Sequence, residues 1–322
     1  MQVLQVFFKT GFTIYIRNRY HYRWLIKDLE SFSNQNQIFL DNVLKKRMRF
    51  YTMQSALTNL WFSTLRGKPP STKENKCGLF LGAYTPVYDD LMDHHELSHA
   101  ELTNIKNQEG VHSPQLLLLS YLKNNIIENI KDEERFNNCF AKLGVAQDNS
   151  TMQFDPQKLP QQTLEKIMAE KGGYATLLYR SIMDHPLKAG EEEAILQLGG
   201  ALQLINDAFD IYKDHQQGIQ TLLTTATDIH AISNDFDERM KSIFTLFTQL
   251  DYKPENIRKM LMQLATVLSR GKVCLQQLQL LQNDQPDFEV KNFTRKELIC
   301  DMEKSKNIKS CIAVCRKWSK EW

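Results

Sequence analysis

Two acidic stretches carry the residue types and spacings that could do chemistry in this chain. Asp89, Asp90 and Asp93 spell DDxxD. On a helix Asp89 and Asp93 are i,i+4 neighbours with Cβ atoms about 5–6 Å apart, so their carboxylates can share a hard cation. Mg²⁺ is typically held by one or two carboxylates, with waters and substrate phosphates completing its oxygen shell. The second stretch, Leu202–Asp214, reads LQLINDAFDIYKD. At about 100° per residue, Gln203, Asn206, Asp207, Asp210, Lys213 and Asp214 share an arc of roughly 120°. Leu202, Leu204, Ile205, Ala208, Phe209, Ile211 and Tyr212 fill the rest of the wheel. This reverses the proportions of a surface helix and predicts a helix buried on most sides, its acidic stripe facing an internal space. Unpaired buried charge is costly, and a divalent cation is the usual reason to tolerate three aspartates there.

Other residues could join this chemistry. Phe80, Leu81, Tyr84, Val87 and Tyr88 run directly into DDxxD and put the acids at the mouth of an apolar region, with Pro86 expected to kink or start the helix. Glu170-Lys171-Gly172-Gly173-Tyr174 interrupts an otherwise helical pattern, and paired glycines predict a break or kink. Lys171 and Arg180 are the basic residues in and after this stretch, and Lys213 lies on the acidic stripe itself; a surface charge or a salt bridge is the plain reading of each. His95-Glu96-Leu97-Ser98-His99 is a literal HExxH, which on a helix would place two imidazoles and a general base as in zinc peptidases. That reading leaves both aspartate motifs unexplained.

The elements that must position these residues are helical. Period-2 strand runs and Asn-Gly or Asp-Gly hairpin turns are not convincing anywhere. Helical patterns recur at roughly 35–65, 77–98, 113–143, 160–184, 190–215, 235–250, 254–282 and 294–320, with polar loops at 66–76 and 144–161 and turns at 184–190 and 283–286. This predicts an all-α domain. Composition over 322 residues is that of a globular protein, 42% apolar and 24% charged, and a net charge of +2 recruits no nucleic acid. Six scattered cysteines with no CxxC pair suit reduced thiols in a cytoplasmic protein. No run reaches the ~18 apolar residues of a membrane span. The aromatic-rich start, with no acid before Asp28, is read as a packed helix, with a membrane-surface helix as the alternative.

On these motifs the chain resembles the class I isoprenoid enzymes, the class I terpene synthases and trans-prenyl diphosphate synthases, in their bacterial single-domain form. Leu202–Asp210 looks like the synthase motif FQxxDDxxD, with Leu202 for Phe and Asn206 for the first Asp. Asn206, Asp210 and Asp214 also match the terpene synthase triad (N/D)DxxSxxxE, with Asp for both Ser and Glu. The stretch TRKELICDMEK near the C-terminus adds a looser likeness.

The resemblance implies an antiparallel helical bundle around a central apolar cavity, spanning 35–322, with residues 1–34 as a helical segment packed on it. The two acidic motifs would face each other across the cavity and hold Mg²⁺, three ions in all, against a substrate diphosphate. Asp89 and Asp93 would be ligands on one side, with Asp90 in support. Asn206, Asp210 and Asp214 would be ligands on the other, assisted by Asp207. Lys171, Arg180 and Lys213 would contact diphosphate. Tyr84, Tyr88, Tyr174 and Phe209 would line the site and stabilise a carbocation by cation–π attraction, core packing being the alternative for each. The substrate would be a prenyl diphosphate, C15–C25 favoured, and a homodimer is an open partner.

Within the superfamily, elongating synthases need a second cationic pocket for isopentenyl diphosphate. Here Asp93 is followed by HHELSHAEL, without arginine. Arg66-Gly67-Lys68-Pro69 matches the upstream GGKxxRP-like stretch only faintly, and Ile219 stands where GKxTLP has lysine. The sequence therefore favours a one-substrate lyase, a terpene synthase that ionises its substrate and cyclises or eliminates the cation. Chain elongation is the runner-up. A zinc metallopeptidase and a non-catalytic subunit that kept the fold are the remaining alternatives.

Overall fold

The computed structural model describes residues 2–95, 113–283 and 285–320; among them there are helices, turns and loops and no strand. The all-α expectation holds. The chain forms two compact units. One consists of Phe8–Asp148 with Leu178–Pro186, the other of Met1–Phe7, Asn149–Leu177 and Leu187–Trp322.

The first unit is built from α1 (Gln2–Gln35, from Phe8 on), α2 (Asn42–Arg66), α3 (Thr72–His95), α4 (Pro114–Ile127) and α5 (Glu133–Ser150, to Asp148). Asp41 caps α2, accepting the Leu44 amide at 2.7 Å, and Met48, Thr52, Ser55, Asn59 and Phe62 form its buried stripe. α3 packs on α2 and α4. It is therefore buried on two sides, through Phe80, Leu81, Tyr84, Val87, Tyr88 and Leu91. Pro86 lies inside α3 without starting it. A proline inside a helix costs about 3 kcal/mol through its missing donor and its ring clash, and α3 carries it in a segment buried on two sides. The pattern expected as one helix over 113–143 is two, because Asp132 accepts the Arg135 amide at 3.0 Å and opens a new helix with Glu133 and Glu134 in its first turn. α5 then runs through Gly144 to Ser150, into what reads as a polar loop.

A buried ionic latch closes this unit. Arg66, ending α2, donates two 2.6 Å bonds to Glu74 in the first turn of α3. Glu74 is 1% exposed and also accepts the amides of Ser71 at 2.6 Å and Asp184 at 2.7 Å. Burial alone would raise the Glu74 carboxyl; the Arg66 guanidinium and the two amides outweigh it and hold it below its ordinary value. Arg135 donates to the carbonyls of Ser181, Met183 and His185 at 2.8, 2.6 and 3.1 Å. These side chains satisfy the carbonyls where the next helix ends.

The second unit holds α6 (Gln161–Ser181, to Leu177), α7 (Glu191–Gln216), α8 (Ile229–Thr248), α9 (Pro254–Gln282), a single turn α10 (Arg295–Leu298) and α11 (Ser305–Trp318). α9 packs on α7, α8 and α11, burying Leu261, Leu264, Leu268, Leu275 and Leu278. Gly172 and Gly173 do not break α6, which is continuous through them. They let α7 approach: a Cβ on Gly172 would lie 2.2 Å from the Gly199 carbonyl oxygen, and one on Gly199 would lie 2.2 Å from that of Gly172. The glycine pair is thus a seam between two backbones and not a kink. All six cysteines are free and buried.

Candidate functional site

The first acidic group sits near the end of α3. Asp89 and Asp90 are half-buried. Asp89 accepts the Tyr51 hydroxyl of α2 at 3.2 Å and the Gln147 amide of α5 at 3.5 Å. Asp90 pairs with Arg47 of α2, and both aspartates act electrostatically on that guanidinium. Asp148 lies close enough to act on Tyr88 together with Asp89; burial first, then these two charges, push the Tyr88 phenol up. Asp93 lies on α3, but its side chain is outside the described residues, as are the His95 side chain and residues 96–99 of HExxH. Arg47, Tyr51, Gln147 and Asp148 come from α2 and α5, and no spacing around DDxxD pointed to them.

The second acidic group is on α7. Leu204, Ile205, Ala208 and Ile211 are buried as expected, but the polar arc is graded. Asn206 and Lys213 are exposed, Asp210 is half-buried, and Asp207 and Asp214 are 5% and 8% exposed. Asp207 accepts the Gln203 side-chain amide at 2.7 Å. Burial pushes the Asp207 carboxyl up from 3.8 to about 7, with the charges of Asp214 and Asp210 adding to it and the Gln203 bond and the Lys171 ammonium opposing. Asp214 rises from 3.8 to about 6 through burial and then Asp210, opposed by Lys213 and Lys171. Asp207, Asp210, Asp214 and Lys171 of α6 thus form one electrostatic cluster. Asp207, given an assisting role from the sequence, is its most buried member, while Asn206 stays on the exposed edge.

Both raised carboxyls work against the fold at high pH. Their folded values lie above the unfolded one, so the penalty is absent below about pH 4, grows as pH rises, and is complete above about pH 7. For buried Asp207 it is on the order of 4 kcal/mol. Asp207→Asn should therefore stabilise the metal-free chain by on the order of 2–4 kcal/mol at pH 8 and change little at pH 4. Urea melts at the two pH values measure this; equal effects at both would remove the electrostatic explanation.

The remaining candidates divide. Tyr84 and Tyr88 are each 4% exposed and stack at 5.6 Å, both edge-on to Phe140 at 5.6 Å. They belong to an aromatic core between α3 and α5. Tyr174 and Phe209 are half-buried. Arg180 is fully buried, donates to the carbonyls of His185 and Pro186 at 3.1 and 3.3 Å, and lies 5.5 Å over the Phe62 ring. Its bonds hold the end of α6. A cavity of about 30 Å³ in the first unit is lined by Asn18, Ser55, Asn59 and Gly78 among others, and by none of the candidate aromatics.

Among the described residues, no group of three or more His, Cys, Asp or Glu side chains converges as a metal cage. The donors present, Asp89 with Asp90 and the Asp207–Asp210–Asp214 set, are all hard oxygens. Hard oxygens are the donor type that Mg²⁺ takes, one or two carboxylates at a time with water and phosphate completing its shell. No protein-family model matches this chain, and no curated protein matches it.

Proposed function

We propose that the chain is a Mg²⁺-dependent class I terpene synthase, a lyase that ionises a linear prenyl diphosphate of C15–C25 and cyclises or eliminates the carbocation to a terpene hydrocarbon or alcohol. The observation that carries this reading is the α7 cluster, in which Asp207 and Asp214 are buried on either side of Asp210. Three aspartates are gathered there on one helix face in an apolar setting, a placement that surface solubility does not require. Asp89 and Asp90, half-buried at the end of the aromatic run of α3, supply a second oxygen donor group.

In this proposal Asp210, Asp214 and Asp207 are metal ligands on α7, and Asp89, Asp90 and Asp93 are metal ligands on α3. When bound, Mg²⁺ neutralises charge on the departing diphosphate. Lys171 and Lys213 attract diphosphate oxygens, acting where negative charge builds as the C–O bond breaks. Half-buried Phe209 and Tyr174 offer ring faces to the cation. The cyclase branch is supported over elongation by Arg66. This arginine of the faint upstream motif is bonded to buried Glu74, an engagement that favours a site for one diphosphate over two. An antiparallel bundle around a central cavity belongs to the same proposal.

The test is incubation with Mg²⁺ and geranyl, farnesyl, geranylgeranyl or farnesylgeranyl diphosphate, with and without isopentenyl diphosphate. Diphosphate release and a volatile or alcoholic terpene from one substrate alone is expected. Longer diphosphates formed only with isopentenyl diphosphate would replace the cyclase by the elongating enzyme. Stoichiometric zinc with peptidase activity would replace both.

A further inference from the structure

The outward face of α1 is apolar and basic where a packed helix is ordinarily polar. Taking Asn18 as 0° at about 100° per residue, buried Leu25, Leu29 and Ser33 fall within roughly 60° of it. Phe12, Ile16 and Tyr20 fall at roughly 120°, 160° and 200°, opposite it, and are 68%, 50% and 74% exposed; Trp24, at roughly 240° and 44% exposed, borders this face with its ring edge-on to Phe80 of α3 at 6.0 Å. Exposed Arg19, Arg23 and Lys27 interleave with them at roughly 100°, 140° and 180°. Residues 2–27 contain Lys9, Arg17, Arg19, Arg23 and Lys27 and no Asp or Glu.

The pattern recurs on the next helix. Phe39, just before α2, is 86% exposed. On α2, Val43, Phe50 and Met53 are 69%, 50% and 37% exposed and share their side of the wheel with exposed Lys46 and Arg49, away from buried Met48, Thr52, Ser55 and Asn59.

From this we infer that α1, with the start of α2, is a docking face for an anionic lipid bilayer. Tyr and Trp have apolar bodies and polar tips and settle at headgroup depth. Interleaved Arg and Lys keep their charge at the lipid phosphates while their stems lie along the apolar layer. A second copy of the chain is a poor occupant, because it would bring the same cations against these ones. No helix among the described residues is long and apolar enough to cross a membrane, so the chain would lie on the surface. The inference stands independently of the proposed reaction.

The experiment is co-sedimentation of the full chain with vesicles of phosphatidylcholine alone or mixed with phosphatidylglycerol, at low and high salt. Binding to the anionic vesicles, lost at high salt, is the expected result. Two paired substitutions, Phe12→Ser with Tyr20→Ser and Arg19→Glu with Arg23→Glu, should each lower the vesicle partition coefficient by about tenfold or more. The melting temperature should hardly change, since all four side chains are exposed. Phe50→Ser on α2 provides a variant outside α1. Equal binding to neutral vesicles, no binding to either, or variants that bind like the parent would overturn the inference. So would a concentration-dependent dimer abolished by the same substitutions, which would assign the face to a second copy.

Discussion

Asp210→Ala and Asp89→Ala are each expected to lower prenyl diphosphate turnover by on the order of 10³-fold or more, with helix content and melting nearly unchanged. The argument for intact folding differs at the two positions. Asp210 repels Asp207 and Asp214, so its removal relieves the fold. Among its contacts Asp89 loses two long ones, from Tyr51 at 3.2 Å and Gln147 at 3.5 Å, and at such lengths each falls at or below the roughly 1.5 kcal/mol low end for bonds to a charged group. A loss of rate therefore reports on chemistry and not on unfolding. Initial rates of diphosphate release beside circular-dichroism melts decide the matter. Near-normal turnover in both variants would refute the lyase.

The largest expected effect on stability lies far from these acids. Glu74→Ala should cost about 3–5 kcal/mol. It leaves the Arg66 guanidinium, with a side chain only 12% exposed, without its carboxylate and held by the carbonyls of Lys68 and Pro69, and it leaves the amides of Ser71 and Asp184 without their acceptor. Glu74→Gln should cost less, because the amide oxygen still serves one of those donors while the charge pairing is lost. Since the folded Glu74 value is depressed, its contribution is complete above the unfolded value of about 4.5 and is lost as pH falls through the folded one. Urea midpoints at pH 7 and in acid measure both statements. A variant as stable as the parent at pH 7 would show that the latch contributes nothing net.

Much of the helical framework was legible before any coordinates. The run at 190–215 is α7 within a residue at each end, the run at 254–282 is α9, and Asp184-His185-Pro186 follows the end of α6. These boundaries are local: proline at a first turn, glycine before a helix and an apolar period near 3.6 act within a few residues. The split at Asp132 was equally local, written in Asp132-Glu133-Glu134, but the apolar period on both sides masks it.

What stayed hidden depended on a partner distant in sequence. Gly172-Gly173 reads as a break until Gly199 is found against it, since the same residue type serves a kink or a close approach. That Arg180 lies fully buried over Phe62, donating to the carbonyls of His185 and Pro186, is equally invisible until those residues are brought around it. Asn206 and Asp207 differ by one position on one wheel, and only the neighbouring helices decide that Asp207 turns inward while Asn206 meets solvent. The sequence by itself determined that this chain is helical and that two of its helices carry clustered aspartates, because periodicity and spacing are properties of a single helix. Which aspartate is buried, and which cation stands beside it, only the tertiary structure decided, because burial and charge pairing belong to surfaces that meet after the helices have formed.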